Sequence, residues 1–153
     1  MRAIVKNKKW LLVIIIIVFS FIMYNVFWFC WRNARYNGYT DNLETFREHY
    51  SYVLTAEDGY LYNVKLPDYL SFTGNLCVAT PDGRVALIIW PKIFRGYSYG
   101  IQIEKDGEIY SIELNENLKS NQSEYNDLVG ENQDTVSLLM EKAENMWEKM
   151  KQY

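Results

Sequence analysis

The hydrophobic pattern opens with 22 residues, Trp10 to Trp31, that contain no ionised side chain. As a helix rising ~1.5 Å per residue the run spans ~33 Å, enough to cross a hydrocarbon core of ~30 Å. Trp10 stands at one end and Trp28 and Trp31 at the other, where rings that are half apolar and half polar mark the membrane boundary. The pattern predicts a basic tail over residues 1–9, a transmembrane helix over 10–31 and a juxtamembrane linker over 32–39 that contains Gly38. A cleaved signal peptide shares the basic start, and Val18-Phe19-Ser20 loosely fits a cleavage site. The apolar run continues well past Ser20, however, and a signal's apolar region usually ends after ~7–15 residues.

Beyond residue 40 the periodicity changes. Asp41 with Glu44 three positions on has the form of a capping box, and Leu43, Phe46 and Tyr50 fall on one helical face, so a short helix is expected between Thr40 and Tyr52. Between Tyr60 and Leu114 short β-rich runs alternate with turn signals. Asp106-Gly107 suits a two-residue hairpin turn, which would pair Ile103 with Tyr110, Ile101 with Ile112 and Tyr99 with Leu114. Pro81-Asp82-Gly83 proposes a second hairpin with arms Leu76–Thr80 and Arg84–Trp90. The run Val85 to Trp90 is apolar on both faces, as in a central strand covered on both sides, with Pro91 ending it. A polar stretch from Asn115 to Asn132 reads as a surface loop. Asp134 then caps a last helix to Gln152, whose Val136, Leu139, Met140, Ala143, Met146, Trp147 and Met150 form one stripe. The expected fold class is α+β: one transmembrane helix, then a single domain over 40–153 with an antiparallel sheet packed by a C-terminal helix.

Charge sharpens this picture. Arg2, Lys6, Lys8 and Lys9 precede the apolar run, and only Arg32 and Arg35 closely follow it. The positive-inside bias therefore puts the N-terminus in the cytoplasm and the domain outside the cell membrane. All 19 acidic residues lie at Asp41 or later, against 11 basic residues after Arg32, a balance of −8. So acidic a domain repels phosphate backbones and anionic lipid headgroups alike, which argues against nucleic-acid binding and against a second, peripheral contact with the membrane. Cys30 and Cys77 fall in different environments and predict no disulfide; no cysteine–histidine metal motif is present, and no metal or cofactor is expected. Asn121-Gln122-Ser123 fits the glycosylation sequon.

Four features invite chemistry. Gly96-Tyr97-Ser98-Tyr99-Gly100 matches the Gly-x-Ser-x-Gly pattern of serine hydrolases, which requires a strand-to-helix turn and a later histidine. Here the segment runs into a strand, and the only histidine, His49, comes earlier. Glu104, Asp106 and Glu108 crowd a hairpin tip, where solvation rather than catalysis is expected. Asn25, the one strongly polar side chain in the span, either contacts another membrane helix or reaches water near the outer interface. No catalytic, cofactor-binding or metal-binding residue is therefore assigned. The expected function is a membrane-anchored, non-enzymatic binding or accessory module, with a protein partner in the cell envelope. The alternative is a small membrane-bound, hydrolase-like enzyme built from Ser98, His49 and scattered carboxylates.

Overall fold

The computed structural model describes residues 2–47, 50–148 and 150, and divides the chain into two compact units, residues 1–35 and 36–153. The first is helical. Helix α1 covers Arg2–Thr40, and within it Lys8–Thr40 is, among the described residues, the one segment long and apolar enough to cross a membrane. The β-branched run Ile14–Val18 is a modest helix former in water. In hydrocarbon, a helix satisfies every backbone N–H and C=O within the segment, and that requirement outweighs propensity. Asn25 donates its side-chain amide to the Phe21 carbonyl at 2.7 Å, so this bond is made inside its own helix. The Arg32 guanidinium lies 5.5 Å from the centroid of the Trp28 ring.

The last turn of α1 belongs to the second unit, and this corrects the expected linker. Gly38 costs the helix about 1 kcal/mol. Tyr36 and Tyr39, each only 1% exposed, gain about 1.5–3 kcal/mol apiece by leaving water. The two burials win, and the helix runs through the glycine to Thr40.

Seven strands follow: β1 (Glu44–Arg47), β2 (Ser51–Thr55), β3 (Leu61–Lys65), β4 (Asn75–Ala79), β5 (Val85–Pro91), β6 (Tyr97–Lys105) and β7 (Glu108–Leu114). They form one antiparallel sheet in strict chain order. A 3₁₀ turn (Ser123–Tyr125), α2 (Asn126–Glu131) and α3 (Gln133–Met146) complete the unit, and α3 packs on β4 and β5. The α+β class, the single apolar N-terminal helix and the antiparallel sheet under a C-terminal helix are all as expected.

Registry explains the core. The rows Tyr62–Val78–Leu87–Ile101–Ile112 and Val64–Leu76–Ile89–Tyr99–Leu114 run across β3 to β7 on one face. From α3 and the residues after it, Val136, Leu139, Ala143, Trp147 and Met150 are buried as well. The Asp106-Gly107 turn has φ of 57° and 81°, and the three pairings expected from it are all observed. In β5, Val85, Leu87 and Ile89 are buried while Ala86, Ile88 and Trp90 on the other face are half-buried. The strand is therefore interior to the sheet, but its two faces are unequal.

Three further expectations fail. The short helix between Thr40 and Tyr52 is replaced by β1 and β2, because Ser51–Thr55 pairs residue for residue with Leu61–Lys65. The polar stretch 115–132 is partly helical, with Val129 buried. Asp134 lies in the first turn of α3 rather than capping it, and the helix stops at Met146, Trp147 leaving it with φ −119° and ψ 78°.

Cys77 sits in β4 on the half-buried face, where burial pushes its thiol up to about 11. Since the thiolate is the reactive form, maleimide labelling at pH 7 should be slow in the folded chain and fast after denaturation. Rapid labelling of native Cys77, separated from Cys30 by peptide mapping, would contradict this placement.

Candidate functional site

Where the chain joins the domain, Tyr36 and Tyr39 stand beside the starts of two strands. The Tyr36 hydroxyl accepts the Gly74 N–H at 2.7 Å, just before β4. The hydroxyls of Tyr39 and Tyr97 are 3.0 Å apart, at the start of β6. The Tyr39 carbonyl accepts the indole N–H of Trp147 at 3.1 Å. These contacts draw the first turn of the domain, the β5–β6 connection and the segment after α3 together.

Beside them opens a cleft of about 590 Å³, lined by Lys92, Arg95 and Gly96 of that connection, Tyr97 and Tyr99, Glu116 beyond β7, Met140 and Glu144 of α3, and Met150. The Tyr97 and Tyr99 rings are 6.5 Å apart and inclined by 34°. Burial, reinforced by the nearby carboxylates of Glu144 and Glu116, raises the Tyr99 phenol above its ordinary value, so it stays protonated and able to donate. Two cations and two acids balance in the lining. Such a wall suits a neutral or mixed-charge ligand, with tyrosine and methionine supplying contact area.

A comparable cavity of about 610 Å³ lies at the opposite end of the sheet, among Pro81, Asp82, Arg84, Glu104, Lys105 and the start of α3. Its cations are engaged by carboxylates: Arg84 with Asp82 at 3.9 Å and Lys105 with Glu131 at 2.8 Å. It offers no aromatic surface, and we regard the tyrosine-lined cleft as the better candidate.

The Gly-x-Ser-x-Gly pattern separates into unrelated structural demands. Ser98 pairs with Trp90 inside the sheet and is exposed on the face opposite Tyr97 and Tyr99, so it is not on a strand-to-helix turn. Gly96 is a turn residue with φ 80°. Gly100 lies under the Trp90 ring, two of whose carbons would be 2.8 Å from any added Cβ. Ser98 instead borders a shallow recess of about 290 Å³ with Trp90, Glu113 and Asn121. His49 falls outside the described residues. Glu104, Asp106 and Glu108 are exposed at the hairpin tip, and Glu108 accepts the Tyr110 hydroxyl at 2.9 Å. Among the described residues, no three His, Cys, Asp or Glu side chains gather closely enough to hold a metal ion.

Of the cleft, Tyr97 and Tyr99 stand in the sequence within the Gly-x-Ser-x-Gly segment, and Met140 and Met150 within the apolar stripe of the last helix. Lys92, Arg95, Glu116 and Glu144 come from three distant segments, and no local pattern joins them. No protein-family model matches the chain, and no curated protein or solved structure is significantly similar to it.

Proposed function

We propose that the chain is a single-pass protein of the cell membrane, N-terminus in the cytoplasm, whose outer domain is a non-enzymatic binding or accessory module for a protein partner in the envelope. The observation that carries this reading is the lining of the cleft. Tyr97, Tyr99, Met140, Met150 and Arg95 belong to the residue types enriched in the cores of protein interfaces, and balanced charge around them suits a peptide segment. The basic flank before Trp10 supports the orientation.

The test is a photo-crosslinking amino acid at Tyr99 in native membranes, with Gln102, exposed on the opposite face, as control. A discrete protein adduct is expected at 99 and not at 102. In the same cells, external protease should remove a C-terminal tag and spare an N-terminal one. Equal labelling at both positions would sink the binding reading, and a protected C-terminal tag would reverse the topology.

A further inference from the structure

The two ends of the sheet carry different connections. At one end the turns hold Glu57 and Asp58, Asp82 and Arg84, and Asp106, all polar. At the other end, where Tyr36 and Tyr39 begin the domain, the β3–β4 connection exposes Tyr69 (54%) and Leu70 (57%), and the β5–β6 connection exposes Ile93 (47%) and Phe94 (88%). Leu70 has φ 67°, a left-handed conformation that a bulky side chain adopts only under strain. Strain held at an exposed apolar tip points to a use for that tip.

Two observations say what covers it. Tyr36 and Tyr39 bond to Gly74 and Tyr97, which border these two connections. Trp31 precedes Tyr36 by five residues, a leash of at most ~18 Å by any path. This end of the domain is therefore tied close to the boundary of any membrane that α1 crosses. Second, Lys92 and Arg95 flank Ile93-Phe94 and are exposed. Basic side chains beside an apolar tip let the tip enter the interfacial layer while their charges meet anionic headgroups. The nearby acids leave this end locally balanced instead of acidic: Asp68 pairs with Lys65 at 3.4 Å, and Glu116 and Glu144 share the cleft lining with Lys92 and Arg95.

We propose that the tips Tyr69-Leu70 and Ile93-Phe94 rest in the headgroup layer of the bilayer that holds α1, so that the domain sits on the membrane instead of swinging above it. The inference depends on α1 being the anchor, and it departs from the expectation that an acidic domain makes no second lipid contact. Local charge at the tips, rather than the balance of −8, decides the matter at this distance, because charges more than ~10 Å apart are largely screened in salt.

The experiment uses the full chain reconstituted into vesicles of phosphatidylcholine and phosphatidylglycerol. An environment-sensitive fluorophore is placed at Phe94→Cys, or at Asp106→Cys as control, in a Cys30→Ser, Cys77→Ala background. The label at 94 should emit at shorter wavelength than that at 106 and lose intensity when the lipids are brominated; the label at 106 should do neither. In an otherwise unaltered chain, Phe94→Ser should speed tryptic cleavage after Lys92 and Arg95 in vesicles, a readout that does not need the cysteine replacements. Equal behaviour at 94 and 106, with the chain still resisting carbonate extraction, overturns this inference and leaves the anchor standing. A shifted emission indifferent to bromine assigns the tip to a protein surface and also overturns it. Release of the chain by carbonate would overturn the anchor and this inference together.

Discussion

Gly74→Ala should be among the most damaging single substitutions in the domain. A methyl group there would collide with the Lys65 carbonyl oxygen and stand 3.0 Å from the Leu66 carbonyl carbon and the Pro67 nitrogen. All are backbone atoms of the facing arm, where Lys65 pairs with Asn75, so no side chain can swing away. A cost of about 3 kcal/mol, the upper part of the range for overpacked sites, is a large share of a domain's total of roughly 5–15 kcal/mol. The damage should spread to the start of the domain, because the Gly74 N–H is the donor to Tyr36. Gly83→Ala is the fitting control. It meets nothing within 4 Å and carries only the strain of φ 73°, about 1–2 kcal/mol. Urea unfolding of the full chain in detergent, followed by circular dichroism of the sheet, should rank the two in that order; the reverse ranking would mean that β3 and β4 do not approach as described.

Trp147→Ala should cost about 3–5 kcal/mol. The side chain is 2% exposed and meets Tyr39 and Tyr62 edge-to-face, with ring centroids 6.4 and 5.9 Å away. Its N–H also serves the Tyr39 carbonyl. Trp147→Phe separates the two contributions: most of the packing survives, the hydrogen bond is lost, and the cost should fall to about 1 kcal/mol. If both variants unfold at the wild-type urea midpoint, Trp147 does not close the core.

These residues show what could be read from the chain and what could not. The Asp106-Gly107 hairpin was legible because two independent constraints, turn geometry and apolar alternation, specify the same register. The part of the stripe from Val136 to Ala143 was legible because a helix repeats its buried face every three or four residues, whereas Trp147 and Met150 are buried beyond the end of α3. The segment after Thr40 misled because Asp41 and Glu44 resemble a cap, while the β-branched and aromatic content of Ser51-Tyr52-Val53-Leu54-Thr55 found its partner only in β3; strand preference is decided by neighbours a sequence does not display. Gly38 misled in the opposite sense, its intrinsic cost being overruled by Tyr36 and Tyr39. The cleft was hardest to foresee, since Arg95, Glu116 and Glu144 are brought together by the whole sheet and by α3, not by any spacing along the chain.

The strict succession of strands also bears on how the protein is made. Each strand pairs with the one before it, so the sheet can grow in the order of synthesis, with short loop closures that favour fast folding. Its apolar face waits longer. Leu76, Leu87 and Ile89 are fully buried on the two strands that α3 packs against, and α3 leaves the ribosome only after β7. Biogenesis thus passes through a stage with a finished sheet and an uncovered greasy side, and the yield of protein will depend on what chaperones or proteases meet it in that interval.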